Sequence, residues 1–180
     1  MTVARIALVP VFAVTLLAGG GSSIGWRLVA TAIFVFAAST DKIDGYLARR
    51  LDLVTDLGAL LDPIADKLLI GTALVILSMF GELPWWVTAV IVVRELGITA
   101  LRVVMLKRAT LPVSRGGKLK TVIQSVAISM FLLPLSDLPF WITVISAMVM
   151  GLAVAVTVAT GADYVRQAVR LLRRAPDGPQ

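Results

Sequence analysis

Six apolar runs divide this chain of 180 residues, and they limit its fold more than any other feature. They cover roughly residues 4–18, 26–40, 57–80, 83–104, 121–135 and 138–162. A helix needs ~20 apolar residues to cross the ~30 Å hydrocarbon layer of a bilayer. The shorter runs reach that length through amphipathic turns at their ends. The chain is 58% hydrophobic and 16% charged. That is more apolar surface than a domain of this size can bury in a core. The expected fold is an all-α integral membrane domain over residues 1–174, with six transmembrane helices and a disordered tail over 175–180.

The breaks between runs carry turn chemistry: Gly19-Gly20-Gly21-Ser22-Ser23, Gly81-Glu82-Leu83-Pro84, and Pro134 to Pro139. Glycine permits positive φ, and proline cannot continue a helical ladder. The run after Arg5 has the pattern of a first membrane helix, which a cleaved secretory leader shares.

Basic residues fall on alternate breaks. Arg5, then Lys42, Arg49 and Arg50, then Lys107, Arg108, Arg115, Lys118 and Lys120, then Arg166, Arg170, Arg173 and Arg174 form one set; Arg27 alone forms the other. By the positive-inside rule both termini and the 41–56 and 105–120 loops are cytoplasmic. Trp26, Trp85, Trp86 and Trp141 mark the opposite ends, as interfacial aromatics do. The net charge of +6 is therefore read as topology and affinity for anionic lipid or phosphate, not for nucleic acid. The last basic run has helical spacing and is expected on the membrane surface.

The chain has no Cys and no His. Any metal must be held by oxygen, which favours Mg²⁺ or Mn²⁺. Any general base must be a carboxylate, a Lys or a Tyr. Candidate carboxylates stand between the second and third runs. Thirteen uncharged residues separate Arg27 from Asp41, and fourteen separate Lys67 from Glu82. Each helix thus travels roughly 20 Å before meeting a charge. Asp41 and Asp44 on one helix, and Asp62 and Asp66 on the next, reach a similar depth near the cytoplasmic edge. Spacings of i,i+3 and i,i+4 put each pair on one helix face. Four carboxylates there repel one another unless cations relieve them. One or two divalent ions would do so; an interfacial salt-bridge cluster with Lys42, Arg49 and Lys67 is the alternative.

With gaps, the stretch reads Asp41-x2-Asp44-Gly45-x2-Ala48-Arg49-x8-Gly58-x3-Asp62-x3-Asp66. This resembles the signature of the CDP-alcohol phosphotransferase family at all eight specified positions. The segments "DPIADKLLIG", "VRELGITALR", "VSRGGKLKT" and "TVARIALVP" are further similar to bacterial members whose acceptor is glycerol 3-phosphate. Members usually carry an Asn-Pro segment ahead of the match to Thr2–Arg5, where this sequence begins.

The resemblance implies a six-helix membrane enzyme, a homodimer, in the bacterial cytoplasmic membrane with its site facing the cytoplasm. It implies transfer of a phosphatidyl group from CDP-diacylglycerol to glycerol 3-phosphate, with release of CMP. It implies that the four aspartates surround two metal ions and that Asp66 is also the general base. Gly45 and Arg49 would lie against the CDP moiety, and Ala48 and Gly58 would leave it room. An acceptor that carries a phosphate needs a basic pocket of its own. The candidates are Arg5, Arg94, Arg102, Arg115, Lys118 and Lys120. Other acceptors (inositol phosphate, phosphatidylglycerol, serine) would keep the same chemistry. A divalent-cation transporter is the reading outside this class.

Overall fold

Turn chemistry and apolar runs produce six helices among the described residues of the computed structural model. These residues are 2–50, 56–105 and 115–174, with side chains described for 6–40, 64–101 and 119–170. The helices are α1 (Thr2–Ala18), α2 (Ile24–Arg50), α3 (Asp56–Met79), α4 (Trp85–Met105), α5 (Arg115–Leu132) and α6 (Phe140–Arg174). A short 3₁₀ turn, Leu135–Asp137, sits between Pro134 and Pro139.

Six helices stand where six runs were expected, but three outlast their runs, α5 by starting at Arg115 inside the expected 105–120 loop. α2 carries Asp41 and Asp44, as expected, and continues to Arg50, into the 41–56 segment that was read as a cytoplasmic loop. α6 is continuous to Arg174, so the basic run with helical spacing extends the last helix. Charge ends a hydrophobic run without ending a helix, because Lys, Arg, Leu and Ala are all good helix formers.

α3 lies at the centre, packed against α1, α2, α4 and α5, and α6 packs on α4 and α5. The core joins Phe12 and Leu16 of α1 to Phe34 of α2, Leu69, Leu74 and Leu77 of α3, Ile91 of α4, and Ile128 and Leu132 of α5. Phe12 and Phe34 meet with ring centroids 5.7 Å apart, tilted by 48°. α1 is thus part of the packed core. Buried Ala30, Ala37, Ala73, Ala127 and Ala153 let the backbones approach closely. Between α3 and α4, the hydroxyls of Ser78 and Thr88 share a hydrogen bond of 2.7 Å.

The exterior is apolar. Val14, Phe36, Val93 and Met148, on four different helices, are 66%, 63%, 69% and 69% exposed. Water would penalise such a surface and lipid would not. α6 is by itself long and apolar enough to cross a bilayer, its most apolar 18-residue stretch within Phe140–Arg170 having mean hydropathy 2.3. Shorter apolar helices cover Ile6–Ala18, Ile24–Thr40 and Leu119–Leu132.

One buried cation ties three inter-helix connections together. Arg27 pairs with Glu82, through Nη1 and also by Nη2 donating to Oε2 at 2.6 Å. It also donates to the carbonyls of Gly21 (3.0 Å), Phe131 (2.8 Å) and Leu132 (3.2 Å). Glu82 is brought there by the end of α3. Gly81 adopts φ +74°, its N–H bonds Ser78 O, and the next N–H bonds Leu77 O. This is a Schellman ending, which needs a residue at ease in the left-handed region. The α1–α2, α3–α4 and α5–α6 connections therefore share one end of the bundle.

Candidate active site

The acidic signature lies toward the other end. Asp41, Asp44, Gly45, Ala48 and Arg49 are on the last turns of α2, and Gly58 and Asp62 on the first turns of α3. Their side chains fall outside the described residues. So do those of Arg5 on α1, Arg102 on α4, and Arg115 and Lys118 on α5. The backbone keeps both acidic pairs in uninterrupted helix, so the i,i+3 and i,i+4 faces read from sequence persist. An all-oxygen donor set on two neighbouring helices fits a hard divalent cation.

Asp66 belongs to the described part of α3 and is half-buried. Nearby, α4, α5 and α6 converge on a cluster of charge. Lys120 of α5 forms an ion pair with Glu95 Oε1. Arg94 Nη1 approaches the same oxygen at 3.2 Å. Arg94 Nη2 donates to Thr160 Oγ1 of α6 at 3.0 Å. The side chains of Lys120, Arg94 and Glu95 are 4%, 13% and 19% exposed. The charges of Arg94, Asp66 and Lys67 all act on Lys120. Two of the six acceptor candidates, Arg94 and Lys120, are thus brought together beside the last aspartate of the signature.

Three members of this cluster were not named as site residues from the sequence. Glu95 was legible as a partner for adjacent Arg94, but not for Lys120 on another helix. Thr160 lies 66 residues from Arg94 and has no motif. Gly161 is the third. A Cβ added there would lie 3.1 Å from Arg94 Cγ, so the glycine lets α6 close over the arginine stem.

A groove of about 370 Å³ runs between α2 and α5. Val35, Ala38, Ser39, Val122, Val126 and Met130 line it, with Ser125 and Ser129. The two serine hydroxyls donate to carbonyls of their own helix, Thr121 O at 2.9 Å and Ser125 O at 2.8 Å. The groove wall is consequently more apolar than its composition suggests. It begins beside Ser39, two positions before Asp41.

Residues 1–159 match the CDP-alcohol phosphatidyltransferase family profile, and the chain belongs to that family. Among its relatives is a Mycobacterium tuberculosis protein named "Probable phosphatidylglycerophosphate synthase". It is 51% identical over 170 residues, 94% of this chain and 80% of the relative. The Bacillus subtilis CDP-diacylglycerol–glycerol-3-phosphate 3-phosphatidyltransferase is 40% identical over 171 residues, 84% of this chain and 89% of its own. The Rickettsia bellii protein of the same name is 33% identical over 168 residues, 92% and 91% of the two chains.

Proposed function

We propose that the acidic ends of α2 and α3 hold the nucleotide half of the reaction, and that Arg94 and Lys120 hold the acceptor half. The chain is a CDP-alcohol phosphotransferase that transfers the phosphatidyl group of CDP-diacylglycerol to sn-glycerol 3-phosphate, giving phosphatidylglycerophosphate and CMP. The observation that carries the division of labour is the pair of buried cations on one oxygen of Glu95, of which Lys120 feels the charge of Asp66.

In this reading Asp41, Asp44, Asp62 and Asp66 are the ligands of one or two Mg²⁺ or Mn²⁺ ions. Held there, such an ion would supply positive charge to offset that of the diphosphate and of the leaving CMP. Asp66 accepts the proton of the glycerol hydroxyl as its oxygen attacks the lipid-side phosphorus. The bond from that phosphorus to the CMP oxygen breaks, and CMP leaves. Arg49 donates hydrogen bonds to a donor phosphate, as the family resemblance implies. Gly45, Ala48 and Gly58 leave room for the nucleotide. Arg94 and Lys120 hold the acceptor's phosphate. Arg5, Arg102, Arg115 and Lys118 complete the basic surround.

The groove between α2 and α5 suits a donor acyl chain. It is apolar, opens to the lipid-facing exterior and starts at the depth of the acidic site. The reading includes six membrane spans, a cytoplasmic site in a bacterial cytoplasmic membrane and a homodimer.

The test is CMP release by the purified protein with CDP-diacylglycerol, Mg²⁺ and a panel of acceptors. Glycerol 3-phosphate should support release, and inositol phosphate, phosphatidylglycerol and serine should not. Release with another acceptor alone would reject the assignment. Asp66→Asn should abolish turnover in a protein that still elutes as a folded species. Near-normal turnover would remove Asp66 as the base.

A further inference from the structure

Two buried cations from different helices share one carboxylate oxygen, Glu95 Oε1. They are not held equally. Arg94 is fixed from a second side, by Thr160 Oγ1 and by the close face of Gly161. Lys120 rests on a flexible four-carbon stem and pairs with Glu95 alone among the ion pairs of the described residues, while the negative charge of Asp66 also reaches it. Two carboxylates thus compete for one ammonium, and in the structure Glu95 holds it.

The position of Lys120 then decides two things at once. Beside Arg94 it completes a paired cationic seat. Drawn toward Asp66, it would leave that seat with one cation and place positive charge on the base. We propose that Glu95 is a positioning residue that keeps Lys120 beside Arg94, so that the acceptor's phosphate meets two preset cations. This inference rests on the reading that Arg94 and Lys120 bind that phosphate. A saturating concentration of acceptor pulls Lys120 back to the phosphate. Loss of Glu95 is therefore felt in acceptor affinity more than in maximal rate.

An opposite effect sets the sign of the test. Glu95 also repels an incoming phosphate dianion, so removing its charge would tighten acceptor binding if repulsion were its main contribution. Glu95→Gln keeps the size of the side chain and removes the charge. Its KM for glycerol 3-phosphate should rise about tenfold, the loss of one charge-assisted hydrogen bond to the phosphate, with kcat within about threefold. The KM for CDP-diacylglycerol should stay unchanged, which a general loss of structure would not allow.

Because Glu95 acts through Lys120, the double variant Glu95→Gln/Lys120→Gln should have the KM of Lys120→Gln alone. Glu95→Asp retains the charge on a shorter stem and should fall between wild type and Glu95→Gln. It also carries the same cycle with Lys120→Gln if the glutamine variant does not fold. An unchanged or lower KM in Glu95→Gln, or effects that multiply in the double variant, would overturn the inference. If Lys120→Gln and Arg94→Gln both leave the acceptor KM unchanged, the acceptor site itself is wrongly assigned. If they raise it and the Glu95 variants do not, only the role of Glu95 falls.

Discussion

Arg27 shows how far a single residue can differ from its apparent part. In the sequence it is the lone basic residue of its set, a topology mark. In the structure it is buried, pairs with Glu82 and donates to three carbonyls from two connections. Those acceptors lie 6, 104 and 105 residues away, and no local spacing announces them. Removing the guanidinium strands a carboxylate that is 28% exposed, together with three carbonyls. Arg27→Ala should therefore destabilise the bundle by about 3 kcal/mol, the lower part of the range for breaking a buried pair. Arg27→Lys should recover little, because a point charge cannot reproduce the planar fork. Chemical denaturation of the detergent-purified variants measures this. Residual activity well below the melting temperature should stay near that of wild type, since Arg27 lies at the end of the bundle away from the acidic site. A stability equal to wild type would mean that the network contributes nothing net.

At the scale of elements, the helices were legible in number and order and less so in their ends. Hydrophobicity locates where a helix meets lipid or core, whereas capping and breakers decide where it stops. The sequence has neither Gly nor Pro between Gly45 and Arg50, and α2 continues through the acidic signature. That continuity keeps Asp41 and Asp44 on one face. The pairing of elements around the charge cluster was not legible. Arg94 stood out as a cation within an apolar run, and Lys120 only as one of the basic set of the 105–120 loop. What joins them is Glu95, and the approach of α6 to α4 that holds Arg94 against Thr160 depends on a residue without a side chain. A Cβ at Gly161 would meet Arg94 Cγ at 3.1 Å and Nε at 3.5 Å. Gly161→Val should displace the arginine from Thr160 and raise the acceptor KM several-fold, with little change in the KM of the lipid donor. Gly161→Ala should do the same more weakly, since a small shift of the stem admits one methyl group. Steady-state kinetics with each substrate varied in turn would show it. Equal effects on both substrates would indicate a general loosening of the bundle.

For the whole molecule, the arrangement of the two ends makes the strongest claim. The contacts of Arg27 gather three connections at one end. Exposed Trp26, Trp85, Trp86 and Trp141 stand at the helix starts of that same end. The acidic ends of α2 and α3 and the long basic tail of α6 point the other way. Alternation through six helices then returns the chain to the side where it began. On the topology we propose, the aromatic end lies at the outer interface and the acidic end in the cytoplasm, where a soluble acceptor and CMP would be exchanged. The absence of native cysteine makes the prediction directly testable, because a single introduced thiol is the only one in the chain. Ser136→Cys, in the exposed turn before α6, should react in intact cells with a thiol reagent that does not cross the membrane. Arg170→Cys, exposed near the end of α6, should react only after the membrane is opened. Each substitution lies outside the acidic site and the charge cluster, so each variant should keep its activity and report on a native protein. Labelling of both sites from the same side would break the alternation. Labelling of Arg170→Cys alone in intact cells would invert the protein and place the site on the face away from its soluble acceptor.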